Sequence, residues 1–178
     1  MSGAAVSWAI RDATTRTDIV SARTLFEEYA ASLDIDLCFQ DFASELANLP
    51  GDYAPPRGCL LLLRRQAAAD IDAGCVALRP IGVTGAAELK RLYLREAARG
   101  AGLGRRLTLA AIERARAIGY REIMLDTLAT MTAAQALYAS LGFRPCAPYY
   151  RNPLPGVVWL ALDLVTSAPT EAPPSASR

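Results

Sequence analysis

Residues 99–106 read Arg-Gly-Ala-Gly-Leu-Gly-Arg-Arg, and this stretch lies between a segment with strand character and one with helix periodicity. Alternating glycines at 100, 102 and 104 allow positive φ and close backbone approach. A helix that starts there offers unpaired N–H groups and a partial positive charge, and Arg99, Arg105 and Arg106 surround the turn. The combination is an anion cradle suited to a pyrophosphate. A dinucleotide-binding turn needs GxGxxG, but the third glycine of that spacing is replaced by Arg105. No GK[ST] follows, so a Walker A loop is excluded, and the preceding strand does not open a first βαβ unit. These features point to a phosphate-bearing cofactor other than NAD.

The rest of the chain supplies the elements around this turn. Residues 6–11 alternate weakly as an opening strand, and Asp18 is a candidate N-cap for a helix carrying Ile19, Ala22, Leu25, Phe26, Tyr29, Ala30 and Leu33. A second short helix is expected over 39–49, ended by Pro50-Gly51 and Pro55-Pro56. Apolar runs at 59–63, 74–78 and 87–94 read as three successive strands. Helical spacing returns over 104–118 and ends at Gly119; 122–128 reads as a buried strand. Thr132 is placed to cap a further helix that stops at Gly142, and 157–165 is the last strand. Strands joined by short turns must pair antiparallel, whereas strands joined through a helix run parallel. The fold class is therefore α/β, with a mixed central β-sheet flanked by helices, in a single domain over 1–166. Residues 167–178 are Pro/Ala/Ser-rich and read as a disordered tail.

Composition narrows the chemistry. With 178 residues and 52% hydrophobic content, one globular core is affordable. The 19 Lys+Arg balance 18 Asp+Glu, which argues against nucleic acid as a partner, and no run approaches the roughly 20 apolar residues of a membrane helix. There is no histidine, so Ser-His-Asp and Cys-His nucleophile pairs, the HExxH helix and His-ligated metals are all excluded. Acid–base work falls to carboxylates, tyrosines, cysteines or the single lysine, Lys90. Cys38, Cys59, Cys75 and Cys146 form no CxxC pair and read as small buried residues in a reducing compartment, so the expected location is cytoplasmic and no metal is expected.

Arg99, Gly102 and Gly104 match the R/Q-x-x-G-x-G/A acyl-CoA loop, 88–94 (Glu-Leu-Lys-Arg-Leu-Tyr-Leu) precede it as a strand, and 134–143 match A-x-x-L-Y-x-x-x-G-F. On these three elements the chain resembles the GNAT-type N-acetyltransferase superfamily over roughly 58–164. The resemblance implies an acyl-CoA N-acyltransferase fold with acetyl-CoA lying where two adjacent strands splay apart. Its pyrophosphate would sit on the N–H groups of Gly100, Ala101, Gly102, Leu103, Gly104 and Arg105, and its pantetheine arm would run along Leu92, Tyr93 and Leu94. Many members carry Asn seven residues before the helix tyrosine; this chain has Met131 there, with Thr130 and Thr132 as replacement hydroxyls.

The implied activity is transfer of acetyl from acetyl-CoA to a primary amine, in a small molecule or a protein, by direct attack and without metal. A primary amine is mostly protonated at neutral pH, so a base is required. Glu88 is the candidate, on one strand face with Lys90, Leu92 and Leu94 by period-2 parity; the alternative is a solvated carboxylate pairing with Lys90. The resemblance makes Tyr138 the proton donor to the leaving thiolate, against a purely core role. Tyr29, Asp126, Tyr149 and Tyr150 are candidate acceptor-binding residues. Acidic residues Glu27, Glu28, Asp34, Asp36 and Asp41 would suit a cationic amine or simply form a solvated face. A catalytically silent acyl-CoA-binding sensor or scaffold is the alternative function. Folds of this kind commonly dimerise, so a homodimer stands beside a monomer as an expectation.

Overall fold

The computed structural model describes residues 6–33, 41–66 and 70–165. Cys38, Asp34, Asp36, the first residues of the expected second helix and the expected tail lie outside them. Seven strands form one sheet in the order β1-β2-β3-β4-β5-β7-β6. They are β1 (Ser7–Asp12), β2 (Cys59–Gln66), β3 (Ile71–Pro80), β4 (Ala86–Leu94), β5 (Glu122–Leu128), β6 (Arg144–Pro145) and β7 (Val157–Asp163). The helices are α1 (Arg16–Ala31), α2 (Phe42–Ala47), α3 (Leu103–Ile118) and α4 (Thr132–Ser140). As expected from connection length, β2, β3 and β4 pair antiparallel in sequence, and β4 pairs parallel with β5 through the α3 crossover; β1 also pairs antiparallel with β2, although α1 and α2 lie between them.

Strand alternation sorts the core into two layers. Leu60 and Leu62 of β2 and Cys75 and Ala77 of β3 pack with Ala22, Leu25 and Phe26 of α1. Leu61, Leu63, Val76 and Leu78 point the other way, against Leu107, Ala111 and Ala115 of α3. Cys59 and Cys75 are buried, and burial pushes the Cys59 thiol up to about 12.

Two helix starts differ from the sequence expectation. Thr15, not Asp18, is the N-cap of α1: its hydroxyl accepts from the Asp18 N–H while the Asp18 carboxylate accepts from the Thr15 and Thr14 N–H groups. Asp18 is thus the third helical residue in a reciprocal capping box. At α4, Thr132 is the first helical residue, and Met131 is the N-cap, its side chain making no capping bond to the helix. Gly119 and Gly142 do take left-handed φ of 98° and 95°, where the helices stop. The two-residue β6 had no sequence signal long enough to register.

Candidate active site

Strands β4 and β5 are hydrogen-bonded only at their beginnings, Ala86 to Glu88 against Glu122 to Met124. Beyond this point β5 stays with β7 along its whole length, Glu122 to Leu128 against Val157 to Asp163, and β4 stays with β3. The two neighbours therefore separate, and a continuous cleft opens between them. Its wide part runs between Leu92, Tyr93 and Leu94 on one side and Thr130, Met131 and Thr132 on the other, and it reaches Arg99 and Gly104. Its inner end is lined by Tyr29, Lys90, Arg91, Asp126, Thr127 and Tyr138, among others. Tyr29, Leu33, Leu92, Leu128, Met131 and Ala134 line both parts.

A bulge in β4 shapes this cleft. Cys75 is opposite Tyr93 and Ala77 is opposite Lys90, so Arg91 and Leu92 together face the single residue Val76. Arg91 takes a left-handed φ of 57°, held by its buried guanidinium on both carboxylate oxygens of Glu45 at 3.0 and 2.6 Å. The extra residue reverses side-chain parity. Leu89 and Leu92, three positions apart, both pack on the α3 layer, as does Leu94, while Tyr93 packs on the α1 layer. The expectation that Glu88, Lys90, Leu92 and Leu94 share a face is therefore corrected: Glu88 and Lys90 lie on the opposite face, because strict alternation fails at Arg91.

At the glycine turn, Gly100 and Gly102 have φ of 79° and 71°, and a side chain built at either would meet nothing within 4 Å. Gly102 is the N-cap of α3 and supplies no side-chain hydrogen bond, so the N–H groups of the first helical turn stay available to a ligand. Gly104 is different: a Cβ there would come within 3.4 Å of Leu94. Arg99 donates to the Leu94 carbonyl and lies 5.9 Å from the Tyr93 ring, which fixes the turn to the end of β4. Arg105 reaches Ser140 of α4 and Arg106 reaches the Trp8 carbonyl, so the flanking arginines also tie neighbouring elements together.

Glu88 is 1% exposed, not solvated. Its Oε2 accepts from Arg79 Nε and Nη2, both at 2.8 Å, and its Oε1 accepts from the Tyr149 hydroxyl at 2.8 Å. Lys90 Nζ lies 3.9 Å from Oε1 and is 7% exposed. Burial lowers the Lys90 pKa, as do Arg91 and Arg79, against Glu88 and Asp126. Tyr149 and Tyr150 stack edge-on against Trp159 of β7 at 5.0 and 4.9 Å, and Asn152 donates to Asp126 at 3.0 Å. The 149–152 loop is thus fastened to the two carboxylates behind and beside the inner end.

Tyr138 is 6% exposed, tilts against Phe143 at 5.4 Å, and its hydroxyl has no hydrogen-bond partner among the described residues. Burial raises its pKa, with further pushes from Tyr29 and Asp126. Of the described acidic residues that would suit a cationic amine, Glu28 is held by Arg95 at 2.6 Å, and neither it, Glu27 nor Asp41 lines the cleft. The sequence names Lys90 only as the single lysine and a neighbour of Glu88, and gives Arg79 and Arg91 no place in the site. The signal that would have found Arg79 is its position across the β3–β4 hairpin from Glu88.

The Acetyltransferase (GNAT) family profile matches residues 23–143. An uncharacterized N-acetyltransferase of Schizosaccharomyces pombe is 40% identical over 147 residues, 83% of this chain and 89% of that protein. Among solved structures, an acetyltransferase of the GNAT family from Staphylococcus aureus superposes with a TM-score of 0.72 at 18% identity, covering 89% of this chain and 99% of that one. A Salmonella typhimurium protein solved with its cofactor acetyl-CoA does so at 0.63 and 19%, covering 95% and 99%. The profile takes in the second half of α1, the splayed strands, the glycine turn and the Tyr138 helix together, and on that match the chain is an acetyltransferase belonging to the GNAT family.

Proposed function

We propose that this protein transfers an acetyl group from acetyl-CoA to a primary amine by direct attack, without a covalent enzyme intermediate. The observation that carries this is the single cleft running from the N-terminus of α3 to the Tyr138 hydroxyl between separated β4 and β5. The residues present fit the donor: free N–H groups and open space over Gly100 and Gly102 suit its pyrophosphate, with Ala101, Leu103 and Arg105 in the same turn. The exposed β4 edge at Leu92 to Leu94 suits the amide-bearing arm, and Thr130 and Thr132 border it opposite. The donor supplies the thioester; the sum of the reaction is one N–C bond formed, one C–S bond broken and one proton passed from nitrogen to sulfur.

In this reading Asp126, which lines the inner end, receives the amine proton. Glu88 acts through its neighbours: it holds Tyr149 and sets the position of Lys90, and is a positioning residue. Tyr138, kept protonated by burial, donates to the departing sulfur. Tyr29 roofs the inner end, and Tyr149 and Tyr150 wall its carboxylates.

Calorimetric titration with acetyl-CoA, with NADH as control, followed by release of free thiol in the presence of amines, tests the proposal. Binding of acetyl-CoA alone with amine-dependent thiol release is expected. No binding of acetyl-CoA at millimolar concentration overturns the transferase reading; binding without turnover on any amine favours the silent acyl-CoA module.

A further inference from the structure

The charges around the inner end are organised beyond what acetyl transfer requires. Arg79 is paired with Glu88 and Arg91 with Glu45, at 2.8 and 2.6 Å, so these two ion pairs are each internally neutral. Lys90, 3.9 Å from Glu88, and Asp126, which accepts from Asn152, are a further cation and anion that both line the cavity. A lysine only 7% exposed is a costly residue to hold at this place if its task is packing, since an apolar side chain of the same length fills the volume without desolvating a charge. Its ammonium carries N–H donors for more than one acceptor, so it can keep its protein neighbours, among them Glu88, and still donate to a ligand.

Of the acidic residues that would favour a polycation, the described ones, Glu27, Glu28 and Asp41, do not line the cleft, and a purely cationic acceptor would meet Lys90 at its inner end. We infer, on the acetyltransferase reading above, that the acceptor is a small amino carboxylate, whose anionic group is held by Lys90 and whose nitrogen lies toward Asp126 and Tyr138. The inner end, roofed by Tyr29, Leu33 and Leu154, suits a compact molecule.

The test is steady-state thiol release with acetyl-CoA and matched acceptors: glycine, alanine, β-alanine and 4-aminobutyrate against methylamine, ethylamine and propylamine. At least one amino carboxylate should exceed its decarboxylated partner in kcat/KM by about tenfold or more. Lys90→Met should collapse that preference by raising the acceptor KM while leaving kcat and acetyl-CoA affinity nearly unchanged, and Lys90→Arg should restore it. The inference is overturned by a preference for the plain amines, by a preference that survives Lys90→Met, or by no turnover of any amino carboxylate in an enzyme that binds acetyl-CoA. If Lys90→Met does not fold, the wild-type preference decides alone. Failure of the wild type to bind acetyl-CoA, read by calorimetry, overturns the transferase reading itself and is thereby distinguished.

Discussion

The Tyr149 hydroxyl donates to Oε1 of Glu88 at 2.8 Å, joining the loop before β7 to a carboxylate near the start of β4. Burial raises the Tyr149 pKa and the adjoining carboxylate raises it further, so the phenol keeps its proton and acts as donor. Arg79 takes the other oxygen, so the carboxylate is satisfied on both sides inside the protein.

Tyr149→Phe should therefore cost stability, because it leaves a buried carboxylate oxygen without its donor. A loss of about 1–3 kcal/mol is expected, seen as a fall in Tm of roughly 2–12 °C for a chain of this size. Thermal denaturation checks it. An unchanged Tm would mean that the loop contributes no fixed hydrogen bond to Glu88.

Tyr138→Phe should lower kcat by about 10²-fold while leaving the KM for acetyl-CoA and the Tm nearly unchanged. The ring fills the same space against Phe143, and the hydroxyl has no partner among the described residues to lose. Steady-state thiol release separates the two roles. An unchanged kcat would reduce Tyr138 to a core aromatic.

Gly102 has a left-handed φ of 71° but open space where a side chain would stand. Gly102→Asn should fold and bind acetyl-CoA, since asparagine tolerates that conformation. Gly102→Glu places a carboxylate at the N-terminus of α3 and should weaken acetyl-CoA binding by more than about tenfold. Calorimetry on both variants is the measurement; equal weakening in the two would point to backbone strain, and none in either would place the pyrophosphate elsewhere.

Much of the fold was legible because apolar spacing and turn length determine it. The β5 segment 122–128 emerged with the boundaries read from sequence, and the parallel β4–β5 pair followed from the helix between them. Parity failed at Arg91, because a bulge in a strand is stabilised by a partner 46 positions away, Glu45, that no local pattern reveals. The same kind of blindness affected Glu88. Whether a strand carboxylate is solvated or buried depends on Arg79 and Tyr149 arriving from other elements, and composition carries no trace of their meeting. The glycine turn was readable since its function lies in the backbone, which glycine spacing specifies directly.

Acid should destabilise the protein through Asp18 in particular. Burial works to raise its pKa, but the Thr15 N–H, the Arg11 guanidinium and the Thr14 N–H together hold the carboxyl well below its usual range. A group whose folded pKa is depressed stabilises fully above its unfolded value, about 3.9 for Asp, and the stabilisation is lost as pH falls through the folded value. Asp72 and Glu45 are held low by Arg64 and Arg91 against burial, and Glu28 by Arg95, so the whole molecule should lose stability below about pH 4. Asp18→Asn removes the ion pair to Arg11 and should cost about 1–3 kcal/mol near neutral pH. That difference from wild type should stay level from about pH 7 to pH 5 and shrink below about pH 4, where the unfolded chain's Asp18 takes up a proton that the native carboxyl still refuses. Urea unfolding at a series of pH values measures it, and a difference that persists undiminished near pH 2 would mean that the capping box, not the charge on Asp18, supplies the stabilisation.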